Sequence, residues 1–324
     1  MENFAQAARD ATQEMRSVFA APPLQRNAFL SDRFDADIWL KREDLSPVRS
    51  YKIRGAYNAL RKQVAAGQTR FVCASAGNHA QGVAFICAHF GVHGVIFMPV
   101  TTPKQKIDKT RAFGGESIEI KLVGDYVDDT LAAAQDYCLS VGAHFLSPFD
   151  DLDVIEGQAS VAVEVLAGLS KAPDMMVLPV GGGGLSSGIT AYMAEMAPET
   201  EFRLVEPQGA RSLAVALQDR APSTVRPIDG FVDGAAVARI GAKNFEFLRG
   251  IKADHVLAAP EDRICGTILE MLNVEGVVLE PAGALAVDAL HDVRDQIVGK
   301  TVVCVTSGGN FDFERLPEVK ERSL

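Results

Sequence analysis

Cysteine, histidine and tryptophan are scarce in this 324-residue chain, at five, six and one. The cysteines, Cys73, Cys87, Cys138, Cys265 and Cys304, form no C-x-x-C pair. An odd set without such spacing argues against a disulfide framework. It reads as buried free thiols in a reducing, cytoplasmic compartment. The histidines show no metal-ligand spacing, so no metal centre is expected. No run approaches the ~20 apolar residues of a membrane helix, and Met1-Glu2-Asn3 opens no secretory signal. Basic residues are outnumbered, 32 against 42, which leaves a net charge of −10 and no basic cluster. Nucleic acid and anionic membrane are therefore not expected partners.

Hydrophobic residues make up 48% of the chain and charged residues 23%, enough for a large core. Strand-like runs at 38–41, 71–74, 94–98, 117–120, 175–180, 202–205 and 301–306 alternate with helix-like runs at 52–66, 80–89, 104–112, 127–141, 158–170, 264–272 and 283–290. Alternation of this kind predicts an α/β protein with parallel sheets covered by helices on both faces. One series runs from about Phe71 to Ser147 and a second opens near Val154. A ligand between them would lie at the carboxyl ends of strands from both sheets. Residues 221–242, rich in Pro, Gly and charge, read as a long surface loop.

Four consecutive glycines, Gly181 to Gly184, join the apolar strand 175–180 to a helix that opens at Leu185. Glycine leaves backbone N–H groups accessible, and a helix start adds unpaired donors and a positive dipole end. Such a junction reads as a phosphate cup; the alternative is a flexible loop, though loops rarely place four glycines between a strand and a helix. Each charge-assisted bond there contributes roughly 1.5–3 kcal/mol. Neither G-x-G-x-x-G nor a Walker pattern is met. Glu206, at the end of the next strand, keeps a ribose-binding dehydrogenase as a rival reading.

Three further constellations follow strands or open helices. Ser75-Ala76-Gly77-Asn78-His79 follows strand 71–74 and suits a carboxylate, or is an ordinary helix start. Lys52 opens an apolar-striped helix among Tyr51, Ile53 and Ala56. A helix lysine is ordinarily a solvated charge. Here partial burial and the neighbouring Arg54 would lower its pKa and make it a nucleophile and base. Ser307, within Thr306-Ser307-Gly308-Gly309-Asn310, closes the last strand and either places a neutral hydroxyl where it could bond a ring nitrogen or belongs to a simple turn. Lys41, Arg42, Glu43 and Asp44 read as a charged strand end that pairs locally.

In this order the motifs resemble the pyridoxal-phosphate enzymes of the tryptophan-synthase-like fold (fold type II), and among them the threonine dehydratases (threonine deaminases). The resemblance runs from about Ala20 to the C-terminus. It rests on Lys41 to Leu45, Tyr51 to Gly55, Gly77 to Gly82, Gly181 to Leu185, and Glu280-Pro281-Ala282-Gly283-Ala284. It implies two open, mostly parallel three-layer α/β/α domains, a large one from 1–68 and 149–324 and a small one from 69–148. Lys52 would capture the aldehyde of pyridoxal 5'-phosphate. Gly181, Gly182, Gly183, Gly184 and Leu185 would cradle its phosphate. Asn78 would bond the ring hydroxyl, Ser307 the pyridine nitrogen, and Glu280 would lie beyond the ring. Ser75, Ala76, Gly77, Asn78 and His79 would surround the substrate carboxylate.

The activity implied is β-elimination of L-threonine to 2-oxobutanoate and ammonia, and of L-serine to pyruvate, by a cytoplasmic homodimer or homotetramer. A dehydratase of another β-hydroxy amino acid such as 3-hydroxyaspartate, and a non-catalytic homologue, are the alternatives. Ala76 stands where related racemases carry a serine acid, so racemisation is not expected. Glu156 and Ala159, around Gly157-Gln158, are expected to alter the pocket. The chain stops about where biosynthetic forms continue, so no regulatory domain and no inhibition by isoleucine are expected.

Overall fold

The computed structural model describes residues 3–323. Ten strands alternate with helices: β1 (Leu24–Arg26), β2 (Asp37–Arg42), β3 (Arg70–Ala74), β4 (His93–Met98), β5 (Ile118–Leu122), β6 (His144–Phe145), β7 (Met175–Pro179), β8 (Glu201–Pro207), β9 (Val256–Ala259) and β10 (Thr301–Thr306). They form a six-stranded sheet in the order β1-β2-β10-β7-β8-β9 and a four-stranded sheet in the order β5-β4-β3-β6. Every pairing is parallel except β1 with β2. The expected α/β architecture with two mostly parallel sheets is what the chain adopts.

Period-two alternation decides which face each strand residue covers. On β10, Val302 and Cys304 enter one apolar cluster, while Val303 and Val305 enter the cluster on the opposite face. On the smaller sheet, Phe71, Cys73 and Ile96 face one way and Val72, Val95 and Phe97 the other. Both faces of both sheets are thus buried, which explains the uninterrupted apolar runs of β7 and β10. Each fully buried Val or Leu contributes roughly 1.5–3 kcal/mol. All five cysteines are free and buried in these layers.

Three helices position the site. The helix Leu152–Gly168 packs against both Lys52–Ala65 and Gly184–Met196. Small residues let the backbones approach: a Cβ at Gly157 would meet the Arg54 carbonyl at 2.6 Å, and one at Gly188 the Ile155 carbonyl at 2.4 Å. The helix beginning at Lys52 and the helix beginning in the glycine run are thereby held against one common partner.

A buried ionic cluster anchors the first of these helices. Arg54 donates through Nε and Nη2 to Glu43, at 2.7 and 2.8 Å, and through both terminal nitrogens to Glu164. Lys41 lies 3.0 Å from Glu43 and 2.7 Å from Glu164. The expected local pairing of the charged strand end is therefore part of a network that reaches two helices. Arg54 faces away from the Lys52 amine, because residues two apart on a helix point to different sides.

The segment read as a surface loop, 221–242, lacks regular structure up to Gly241. It is not merely superficial. Phe231, Val232 and Ala235 are buried in the core, and Asp233 and Gly234 line the cavity described next.

Candidate active site

A cavity of about 350 Å³ opens where the two sheets meet. Its wall takes Ala74 and Ser75 from the end of β3, Pro99 from beyond β4, Pro148 and Phe149 from beyond β6, Gly182 from beyond β7 and Ser307 from beyond β10. All these positions lie at carboxyl ends of parallel strands, where α/β sheets place their ligands. Lys52, Ala76, Gly77, Asn78, His79 and Glu280 complete the wall. Gly181, Gly183, Gly184 and Leu185 stand immediately beside it in the same turn.

The glycine run forms a cradle. Among the described residues, the backbone N–H groups of Gly181 to Ser186 have no acceptor, and the first bond of the following helix runs from Ser187 N to Gly183 O, at 2.8 Å. Gly183 has φ 95°, a left-handed conformation that favours glycine. A Cβ at Gly182 would lie 2.3 Å from the Phe149 ring. Asn244 pins the turn by donating Nδ2 to Gly182 O at 2.8 Å and to Phe149 O at 3.1 Å. With the carbonyl held outward, the bare N–H groups suit a phosphate without any cationic side chain. The residues present therefore fit a phosphorylated cofactor.

Lys52 Nζ donates to Pro148 O at 2.7 Å. Loss of hydration pushes the amine down to about 8, against the pull of the Glu280 carboxylate. Arg54 takes no part in that shift, contrary to the expectation from sequence. Burial pushes Glu280 up to about 7, helped by Asp233 and opposed by the hydrogen bond from Asn78. Asn78 Nδ2 reaches Glu280 Oε1 at 2.6 Å. A Cβ at Gly308 would meet the same oxygen at 2.2 Å, so the carboxyl packs directly on the backbone there.

The turn after β3 is arranged around its helix start. Ser75 Oγ accepts Gly77 N–H at 3.2 Å. His79 is neutral at ordinary pH, since burial, with the Lys52 charge, pushes it down to about 3. Its Nε2 donates to Leu146 O at 3.0 Å, which commits the ring and leaves the backbone N–H for a ligand. Ser307 Oγ is 3.1 Å from Ala282 O, and its hydroxyl can rotate toward the cavity.

Other expectations are corrected. Glu156 pairs with Lys62 and does not reach the cavity, and Ala159 is buried between helices. Glu206 is engaged as a helix cap, accepting Leu213 N–H at 2.6 Å and Ala214 N–H at 2.9 Å. This uses the carboxyl that a ribose would need.

Comparison with known proteins agrees with this geometry. Residues 18–308 match the model of the family described as "Pyridoxal-phosphate dependent enzyme". This chain belongs to that family. Among curated members, biosynthetic L-threonine dehydratase IlvA of Bacillus subtilis (strain 168) is 49% identical over 97% of this chain and 74% of its own length. That of Lactococcus lactis subsp. lactis (strain IL1403) is 43% identical over 99% and 78%. The processed form of threonine deaminase isoform 2 from Solanum lycopersicum superposes with a TM-score of 0.91 at 33% identity, covering 99% of this chain and 88% of that one. The family's cofactor is pyridoxal phosphate, which the bare N–H cradle and the Lys52 amine suit.

Sequence reasoning missed Asn244, Phe149, Lys106 and Lys109 at this site. Ser147-Pro148-Phe149 follows β6, a strand of two residues that leaves no periodic signal. Asn244 lies on a short helix far along the chain and shows no motif. Lys106 and Lys109 sit on the helix Lys104–Gly114, where no motif singles them out, yet they reach Asp233 and Asn310 across the cavity.

Proposed function

We propose that this chain removes water and ammonia from L-threonine to give 2-oxobutanoate, and accepts L-serine to give pyruvate. One observation carries the reading: the Lys52 amine and the bare N–H cradle open on one cavity, in a chain 49% identical to a threonine dehydratase. When bound, pyridoxal phosphate supplies an electron sink for the charge left at Cα.

The chain's own groups do the rest. Gly181 to Leu185 would hold the phosphate through backbone N–H groups, and Lys52 would hold the aldehyde. Placed at the cavity wall, the Lys52 amine would take the Cα proton; a pKa near 8 keeps a working fraction neutral. The N–H groups around Gly77, Asn78 and His79, with Ser75 and Ala76, receive the carboxylate. Asn78 would bond the ring hydroxyl and Ser307 the ring nitrogen, with Glu280 backing the Asn78 amide.

The reading also assigns 1–68 and 149–324 to a cofactor-binding body and 69–148 to a smaller one, supported by the division of the strands between the sheets. It places the protein in the cytoplasm as a homodimer or homotetramer, on family resemblance. The test is the ratio of kcat/KM for L-threonine, L-serine and 3-hydroxyaspartate. Threonine leading supports the assignment; hydroxyaspartate leading by tenfold or more rejects it for the sister reaction.

A further inference from the structure

Four side chains from four separate segments form one hydrogen-bonded line through the cavity wall. Lys109 Nζ donates to Asn310 Oδ1 at 2.7 Å. Asn310 Nδ2 donates to Asn78 Oδ1 at 2.7 Å and to Val48 O at 2.9 Å. Asn78 Nδ2 donates to Glu280 Oε1 at 2.6 Å.

The direction of this line is fixed chemically. An ammonium only donates and a peptide carbonyl only accepts. Lys109 on one side and Val48 O on the other therefore permit a single orientation of the Asn310 amide. That amide offers N–H to Asn78, so Asn78 must answer with its oxygen. Its NH2 end is then turned to the cavity, where one N–H meets Glu280. Among the described residues the other N–H has no acceptor. An amide free to rotate would present oxygen to Glu280 in half its orientations, which is repulsive whenever Glu280 is ionised.

From this juxtaposition we infer that Asn310 is a positioning residue that fixes which end of the Asn78 amide faces the cofactor ring, and that Lys109 locks it from across the cavity. The inference rests on the proposed role of Asn78 at the ring hydroxyl. It adds a link between the two sheets. Lys109 belongs to the helix that precedes β5, whereas Asn310 follows β10. The contact between them sets the polarity of the site.

The experiment compares the full-length wild type with Asn310→Asp and Lys109→Met, each titrated with pyridoxal phosphate. The readouts are the pH midpoint of the bound cofactor's absorption change and its Kd. Asn310→Asp keeps the shape but replaces the donor toward Asn78 by an acceptor. It should move the midpoint by a pH unit or more and weaken cofactor binding by roughly tenfold. Lys109→Met should move both in the same direction by less. Wild-type midpoints in both variants would overturn the inference, even if turnover fell. If Asn310→Asp does not fold, Lys109→Met decides alone: a displaced midpoint supports the lock and an unchanged one rejects it. Cofactor uptake that is the same in wild type and Lys52→Ala would instead overturn the reading of the site on which the inference stands.

Discussion

Lys52 Nζ donates to the carbonyl oxygen of Pro148 at 2.7 Å. The next residue, Phe149, packs its ring on Gly182 and gives its own carbonyl to Asn244, which also holds Gly182. One short segment thus ties the reactive amine to the phosphate cradle, so their separation is set before any ligand arrives. Preorganisation of this kind removes ordering costs from the binding step.

The Lys52–Glu280 pair makes a prediction with a definite sign. The amine captures an aldehyde only when neutral, so the rate of cofactor uptake should rise with pH through about 8. Ionised Glu280 raises the Lys52 pKa. In Glu280→Gln that support is gone and the midpoint should move to lower pH. Stopped-flow absorbance across pH 6–10 reads it; an unchanged or higher midpoint contradicts the assignment.

Gly182→Ala tests the cradle. The added methyl would overlap the Phe149 ring, so the ring or the turn must shift and the N–H groups lose their common aim. Pyridoxal-phosphate affinity should fall by roughly tenfold or more, the equivalent of one charge-assisted bond. Equilibrium dialysis reads this directly, and wild-type affinity would remove the cradle from the account.

Arg54→Ala addresses the support of the Lys52 helix. The substitution leaves Glu43 and Glu164 buried without their shared cation. Removing one partner from a buried ion cluster costs about 3–5 kcal/mol. Lys41 remains beside both carboxylates and places the expected loss toward the lower end. Urea unfolding of the cofactor-free protein should show it, and a loss below about 1 kcal/mol would mean that Lys41 suffices alone.

Ser307→Asp exchanges a neutral hydroxyl for a carboxylate at a buried cavity position. A carboxylate there favours a protonated ring nitrogen and a longer-lived carbanion. Side reactions, transamination included, should increase at the expense of elimination. Product analysis by mass spectrometry gives the ratio, and an unchanged ratio counts against the role of Ser307.

Much of this was legible in the residues themselves. The apolar runs at 71–74, 175–180 and 301–306 became β3, β7 and β10, because strands buried on both faces carry a continuous signal. The turns that follow them were visible for the same reason. β1, β6 and β9 escaped because two to four residues are too short for periodicity to register. Arg54 was misassigned as an influence on Lys52: closeness in sequence said nothing of opposite helix faces. Asn244 and Lys109 were invisible, since their partners lie on segments brought together only by the crossing of the two sheets.

The central claim is that Lys52 carries a β-elimination on threonine. The most direct measurement is 2-oxobutanoate release from L-threonine with pyridoxal phosphate supplied, for wild type and Lys52→Ala side by side. The account predicts release by the wild type and a fall of at least roughly a thousandfold in the variant, beyond the usual worth of a general base alone because the same amine also holds the cofactor. Equal release from both proteins, or none from the wild type while it retains the cofactor, would contradict it.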